Sequence, residues 1–111
     1  MLQKSEAQEV YSETYRKTEG LCTFLNSFRF FNQLAGMQTN IYKNFVVKVW
    51  DLLSRYGAAG LLHPDGPYED VNGKILREEL YKRLKGHYQF RNQLMLFPDI
   101  GHREEYSINI Y

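Results

Sequence analysis

The chain has 111 residues, of which 43% are hydrophobic and 24% charged, a balance typical of one small globular domain. The 14 Lys and Arg residues nearly cancel the 13 Asp and Glu residues, so charge alone does not indicate a nucleic-acid or membrane surface. One cysteine excludes an internal disulfide, and the opening residues lack the pattern of a signal peptide, so we expect a cytoplasmic protein.

The first half of the chain predicts helices. Residues 1–20 are mostly polar and predict an N-terminal helix or extension. In residues 21–35, apolar side chains recur every three or four positions, which predicts a second helix. A wider apolar stripe runs from Ile41 to Leu53 and predicts a third helix, ended by Tyr56-Gly57.

A predicted strand, loop and helix follow. The apolar run 60–62 predicts a strand that is buried on both faces. Residues 63–73 contain two prolines and two glycines and no helical period, so they predict a loop. Long ordered loops after buried strands often carry binding sites, which makes this loop the first functional candidate. From Ile75 to Leu84 one apolar face predicts a helix closed by Gly86.

Two more strands are predicted near the end of the chain. Polar and apolar residues alternate from His87 to about Phe97, and again over residues 106–111. The order of elements predicts an α/β chain with crossover connections, about three strands and flanking helices.

Most catalytic constellations have no support in the residues. His63, His87 and His102 are not spaced like metal ligands, and adjacent carboxylates such as Glu78 and Glu79 are typical of a solvated helix face. Cys22 lies beside an apolar stripe, so we expect a buried structural thiol rather than a nucleophile. The glycines are wrongly spaced for a phosphate-binding loop.

Two surfaces leave alternatives open. The predicted helix after the loop has a basic face. Either this face contacts a phosphate backbone, or the glutamates of the same helix balance its charge and the face is simply solvated. Its basic residues, with one in the next strand, are Lys74, Arg77, Lys82, Arg83, Lys85 and Arg91. The aromatic segment from Phe24 to Phe31 is either core or a face for a partner.

Several segments together resemble one enzyme family. The resemblance rests on residues 38–45 (QTNIYKNF), 60–68 (GLLHPDGPY), Leu76-Arg77, 94–97 (LMLF) and 107–111 (SINIY). The chain resembles the S-adenosylmethionine-dependent DNA adenine-N6 methyltransferases of restriction-modification type, in particular large type IIG-like enzymes, over residues 21–111. The positions that match the family pattern are Asn40, Tyr42, Phe45, Pro64, Gly73, Lys74, Leu76 and Arg77.

The resemblance implies a partial Rossmann-like methyltransferase sheet and the second half of the methylase domain. The family binds its cofactor with a Gly-rich loop and orients adenine with an Asn/Asp-Pro-Pro-Tyr/Phe/Trp tetrapeptide. Neither motif occurs in the chain, so the resemblance implies no catalytic, cofactor-binding or metal-binding residues here. S-adenosylmethionine would bind the parent protein, this chain alone would be inactive, and its partners would be DNA and the rest of the methylase domain. An isolated fragment of this kind is also expected to self-associate.

Within that resemblance, the loop after the predicted strand borders the DNA. His63, Asp65, Tyr68 and Asp70 would line the target base or DNA channel, and Lys74 and Arg77 would meet phosphate.

Other interpretations remain open. In the first of them, the prolines of the loop only fix its shape, and Tyr68 packs on the aromatic side chains of the core. The chain is a small non-catalytic protein-interaction domain that docks a partner through an aromatic helix, Phe24 to Phe31. A third interpretation is a nucleic-acid-binding accessory module that uses the basic face.

Overall fold

The computed structural model describes residues 2–111, which form four α-helices and three β-strands. They are α1 (Leu2–Leu25), α2 (Ile41–Leu52), β1 (Gly60–Pro64), α3 (Gly66–Glu69), α4 (Lys74–Arg83), β2 (Gly86–Arg91) and β3 (Glu105–Ile110). Two single 3-10 turns lie at Asn32–Leu34 and Asn92–Leu94. None of the helices in this part of the chain combines the length and apolarity of a membrane span.

The three strands form one sheet in the order β1-β3-β2, with β3 antiparallel to both neighbours. Leu62 on β1 and Tyr88 on β2 both lie opposite Ile108 on β3. Helices and a sheet in one chain confirm the mixed class that the pattern of elements predicts. The Rossmann-like sheet is not confirmed, because a doubly wound sheet has adjacent parallel strands and this sheet has only antiparallel neighbours.

The hydrophobic core lies on one side of the sheet, between α2, α4 and the turn that precedes α2. α2 contributes Val46, Val47 and Trp50, and α4 contributes Leu76 and Leu80. The remaining buried core residues are Phe31, Leu34, Met37 and Tyr111. Each fully buried side chain of this kind stabilises the fold by about 1.5–3 kcal/mol, so these contacts fix the helices against the sheet.

The two faces of the sheet differ in an unusual way. Side chains alternate between faces along a strand. The face toward α2, α3 and α4 carries polar side chains, among them His63 and Asn109. Within residues 2–111, no helix covers the opposite face, on which Phe97 packs edge-on against Tyr106, and this face carries apolar side chains, among them Leu62, Tyr88 and Ile108. An antiparallel sheet with one solvated face usually shows the reverse arrangement.

The predicted helix over residues 21–35 is wrong beyond Leu25. α1 ends there, and residues 26–40 form turns around one 3-10 turn. The amide of Asn26 donates to the Thr39 hydroxyl, and the Ser27 carbonyl accepts from the backbone N–H of Phe31 at 2.7 Å. An Asn side chain competes with regular helix in this way, and the turns place Leu34 in the core. The aromatic helix from Phe24 to Phe31 is therefore not formed.

Other boundaries are corrected by local contacts. The run 60–62 is not buried on both faces, because the helices cover only one side of the sheet. The predicted loop 63–73 contains α3, which starts with Gly66-Pro67 as helix first turns often do. The strand from His87 ends at Arg91, because the buried Asn92 turns the chain by binding the backbone of Phe97 and Ile100.

Three predicted elements agree with the structure. α2 begins at Ile41 as its apolar stripe predicts. α4 covers Lys74–Arg83, and β3 covers Glu105–Ile110, each within about two residues of its predicted position.

Candidate functional site

The end of β1 and the covered faces of β2 and β3 meet in a cluster of polar side chains, called here the polar cluster. The polar cluster brings together three of the residues that the sequence predicts to form a site. His63 lies in β1, Asp65 lies between β1 and α3, and Tyr68 lies in α3. Its full membership is His63, Asp65, Tyr68, His87, Gln89, Ser107, Asn109 and Tyr111.

Asp65 is the central acceptor of the polar cluster. Its side chain is buried, with 4% of the residue exposed. One carboxylate oxygen accepts from the Ser107 hydroxyl at 2.5 Å, and the other accepts from the Gln89 amide at 2.5 Å. A buried carboxylate needs such donors to offset its lost hydration. Asp65 therefore holds the loop after β1 to both β2 and β3.

Asn109 organises the other half of the polar cluster and is fully buried. Its Oδ1 accepts from the Tyr68 hydroxyl and lies 3.0 Å from Nδ1 of His87. Its Nδ2 donates to the Ser107 hydroxyl at 2.9 Å. The Tyr68 ring packs edge-on against the His87 ring, with centroids 4.6 Å apart. These contacts fix the positions of the two rings.

His63 is buried as a neutral imidazole. Its Nδ1 lies 2.8 Å from the Pro64 carbonyl, which can only accept, so Nδ1 carries the hydrogen. Its Nε2 then accepts from the Tyr111 hydroxyl at 3.1 Å. The ring also stacks on Tyr42 of α2, with centroids 5.8 Å apart. Burial lowers the pKa of His63 below its usual value near 6.5.

The tyrosines around the polar cluster stay protonated. Burial raises the pKa of Tyr68 to about 12 and the pKa of Tyr42 to about 12, in the second case with help from the nearby charge of Asp70. Burial also raises the pKa of Tyr111. At neutral pH these hydroxyls donate hydrogen bonds and do not act as bases or nucleophiles. The polar cluster is thus equipped for recognition.

A pocket of about 350 Å³ opens beside the polar cluster. Its lining residues are Asp65, Tyr68, Glu69, Tyr81, Leu84, His87 and Gln89. The rings of Tyr68 and Tyr81 lie 6.2 Å apart by their centroids and form one aromatic wall. This volume is in the range of small-molecule sites, and the aromatic wall with carboxylates suits a planar group that carries an amine.

Asp70 and Arg77 lie apart from this pocket and have a structural role. Lys43 of α2 is buried, and its ammonium lies 3.1 Å from the Asp70 carboxylate and 3.2 Å from the Gln38 carbonyl. The Arg77 guanidinium donates to the carbonyls of Asp70 and Pro67. Both side chains therefore tie the turn after α3 to the helices on either side.

The charge of Asp70 is stabilised where it stands. The backbone N–H of Asn72 donates to its carboxylate at 2.9 Å, and Lys43 adds a hydrogen bond and a positive charge, so the pKa of Asp70 is lowered. Lys74, the last of the predicted site residues, is exposed and lies 3.9 Å from Glu78.

A close approach between Gly66 and Tyr42 shapes the start of α3. A Cβ atom on Gly66 would stand 2.6 Å from the Tyr42 hydroxyl oxygen. The Tyr42 hydroxyl thus fills the space into which a side chain at position 66 would extend.

The sequence interpretation missed five members of the polar cluster, His87, Gln89, Ser107, Asn109 and Tyr111. A signal for the first four exists, since they occupy alternate positions of two strands whose intervening residues are apolar. Alternation alone does not say which face of the sheet is covered.

Other sequence hypotheses have simpler outcomes. No group of three metal-ligating side chains is found in residues 2–111.

On the basic face, Lys82 and Arg83 both pair with Glu79, at 2.6 and 2.5 Å. Arg91 pairs with Glu105 at 2.7 Å, which also favours a face balanced by its own carboxylates. Cys22 is exposed, so the expectation of a buried thiol is wrong.

Comparisons of the chain with protein-family models, with curated proteins and with solved structures find no match. The structure itself shows a protein of mixed helix and sheet with a pocket beside the polar cluster.

Proposed function

We propose that this chain is the target-base part of an S-adenosylmethionine-dependent DNA adenine-N6 methyltransferase of restriction-modification type, and that it does not transfer a methyl group alone. The observation that carries the proposal is the pocket beside the polar cluster, formed where the family resemblance expects the loop that borders the target base.

The pocket supports the proposal through its chemistry. An enzyme that modifies a base in a duplex must flip it out and hold it by stacking and by hydrogen bonds to its edge. Tyr68 and Tyr81 offer rings for stacking. Gln89 lines the pocket, and a glutamine side chain suits the ring nitrogen and exocyclic amine of adenine.

The chain path gives further support. β1 and β2 each run antiparallel to β3, so they run parallel to each other and are connected through α4. The resemblance implies a strand, its crossover helix and a closing pair of strands, and these elements occur here in that order. In this proposal β3 enters between the two parallel strands, and the sheet is part of a Rossmann-like methyltransferase sheet.

The residues present do not fit the cofactor. No Gly-rich loop follows a strand in the sequence. The Asn-Pro-Pro-Tyr-like tetrapeptide is also missing from the chain. In the proposed enzyme, S-adenosylmethionine and the reacting groups belong to other residues of the parent protein. This chain supplies the walls and hydrogen bonds that position the base.

Contact with the DNA backbone is proposed for Lys74 and not for Arg77. The ammonium of Lys74 is exposed and only loosely paired with Glu78. The guanidinium of Arg77 is engaged by two backbone carbonyls, and the carboxylate of Asp70 by Lys43.

Binding to an unpaired adenine tests the proposal. We expect the full chain to bind a labelled duplex with one adenine opposite an abasic site about tenfold more tightly than the same duplex with guanine there. Fluorescence anisotropy at about 50 mM salt measures both affinities. Gln89→Ala should abolish the preference, because the amide next to Asp65 is lost.

Gln93→Ala is the matched control, since Gln93 is an exposed glutamine in the turn after β2. It should keep the preference for adenine. Equal affinity of the unmodified chain for adenine and guanine would exclude a target-base pocket.

A protein-interaction domain is the second candidate, and α1 favours it. Val10, Tyr11 and Leu21 on this helix are 61%, 72% and 55% exposed. If the adenine preference is absent and a partner protects α1 from amide hydrogen exchange, this second function replaces the first.

A further inference from the structure

We propose that two copies of this chain form a dimer by exchanging α1, so that the apolar side of each α1 lies across the uncovered sheet face of the other copy. This inference concerns surfaces away from the pocket and applies to the chain by itself, because in the proposed parent enzyme helices of the remaining methylase domain would cover this sheet face.

The uncovered side of the sheet, called here the open face, has no charged residue. It consists of Gly60, Leu62, Pro64, Gly86, Tyr88, Phe90, Tyr106, Ile108 and Ile110. Leu62, Ile108 and Tyr88 form one row across the three strands and are 51%, 39% and 59% exposed. Contiguous apolar surface of this kind marks an interface in a folded protein.

The helix α1 carries the second uncovered apolar surface. Successive residues of an α-helix are rotated by about 100° around its axis. Viewed along the axis of α1, a sector of about 100° carries no charged side chain between residues 7 and 21. This α1 stripe contains Ala7, Val10, Tyr11, Thr14, Thr18 and Leu21. Every side chain from Lys4 to Phe24 is exposed except the half-buried Ser12, so the α1 stripe has no cover within its own chain.

α1 is attached to the body of the protein at its C-terminal end. Leu25 is buried, and its carbonyl accepts from the Asn44 amide at 2.7 Å. The chain measures 60 Å along its longest axis, with a radius of gyration of 17.9 Å. A compact domain of this length would have a radius of gyration of about 13 Å. α1 thus forms an arm that can reach a second molecule.

The dimensions of the two surfaces agree. The α1 stripe, from residue 7 to residue 21, is about 21 Å long, and the strands of the open face are about 18 Å long, so the α1 stripe spans the length of the strands. Leu62, Tyr88, Phe90 and Ile108, each about half exposed, offer about 400 Å² of side-chain surface.

Exchange in both directions gives an interface of ordinary size. Two open faces and two α1 stripes bury about 1,600 Å² in total, the area of a standard stable interface. A dimer of two open faces alone would bury about half of that area and leave both α1 stripes in water. The exchange also closes with twofold symmetry, so it does not lead to fibres.

Sedimentation of the full chain over a range of concentrations tests the dimer. We expect a monomer–dimer equilibrium with a species of twice the chain mass. Val10→Lys with Leu21→Lys, in the α1 stripe, should raise the dissociation constant about tenfold or more. Leu62→Lys with Tyr88→Lys, on the open face, should do the same.

Matched controls place lysines elsewhere. Ser5→Lys with Thr23→Lys lies on the opposite side of α1, and Leu52→Lys with Val71→Lys replaces apolar residues that are 80% and 87% exposed outside both surfaces. These variants should dimerise as the unmodified chain does. Circular dichroism establishes that each variant is folded.

A mixture of the two interface variants separates exchange from other dimers. Each variant retains one intact surface, so the mixture restores one helix–sheet contact and forms heterodimers more readily than either variant forms homodimers. Loss of dimer with the open-face variant only would indicate face-to-face sheets, and loss with the α1 variant only would indicate paired helices. Either result, or a monomer at all concentrations, overturns the proposal.

Discussion

At the residue scale, burial decides how His63 responds to acid. The ring has partners on both nitrogens, the Pro64 carbonyl and the Tyr111 hydroxyl, and the bond to the Pro64 carbonyl favours the charged form. Asp65 is close enough to favour the charged form, but loss of hydration is the larger effect and lowers the pKa.

The lowered pKa of His63 predicts a pH dependence of stability. Below about pH 6.5 the unfolded chain binds a proton at this residue while the folded chain does not, so acid favours unfolding. The free energy of unfolding should therefore fall as the pH drops from about 6.5 through the folded-state pKa. Urea unfolding at a series of pH values measures this slope.

The substitution His63→Gln removes the titrating group. It should therefore make the free energy of unfolding depend less on pH below about pH 6.5. His102→Gln should leave this dependence unchanged, since His102 is exposed in the loop before β3. An equal slope in His63→Gln and the unmodified chain would contradict the assigned burial effect.

At the element scale, the pair Lys43 and Asp70 connects α2 to the turn between α3 and α4. Their side chains are only 7% and 18% exposed. Removal of one partner leaves a charge with little water and no counterion, which costs more than removal of both.

A double-mutant cycle measures this connection. We expect Asp70→Asn to lower the free energy of unfolding by about 2–3 kcal/mol and Lys43→Met with Asp70→Asn to lower it by less. Asp51→Asn, which breaks the exposed pair with Lys48, should change it by about 0.5 kcal/mol or less. If Asp70→Asn and Asp51→Asn lowered the free energy of unfolding by similar amounts, burial of the pair Lys43 and Asp70 would make no contribution to stability.

The sequence predicts individual elements here better than their arrangement. The stripes of α2 and α4 and the alternation of β3 require only local periodicity, and these elements are where the patterns place them. Residues 26–40 mislead, because Phe31 and Leu34 have helical spacing but reach the core through turns, one of which is held by the bond from Asn26 to Thr39.

The candidate site was predictable in part. His63, Asp65 and Tyr68 stand together in a loop with two prolines, and loop chemistry indicates them. Asn109 and Ser107 join them only because β3 enters the sheet between β1 and β2, and no local pattern states that order.

At the scale of the whole molecule, the chain consists of a packed body and an arm. Trp50 and Tyr111 meet edge-on in the body, with ring centroids 5.5 Å apart, while most of α1 has no tertiary cover. Most helical stability in proteins comes from tertiary packing, which α1 largely lacks, so its stability and that of the body are only weakly linked in a monomer.

Two spectroscopic probes should therefore disagree in dilute solution. Trp50, the single tryptophan, reports the body through its fluorescence, and far-ultraviolet circular dichroism includes α1. We expect the dichroism to fall at lower urea than the fluorescence changes when the chain is monomeric. Coincident transitions at every protein concentration would indicate that α1 and the body unfold as one unit.

The contact between Gly66 and Tyr42 has an evolutionary consequence. A methyl group at position 66 collides with the hydroxyl of Tyr42, while the next ring atom, Cζ, lies 4.0 Å away. Loss of that hydroxyl alone would make room for the methyl group. The two positions are therefore expected to covary: relatives that carry alanine in place of Gly66 should carry phenylalanine in place of Tyr42, and keep the ring that stacks on His63.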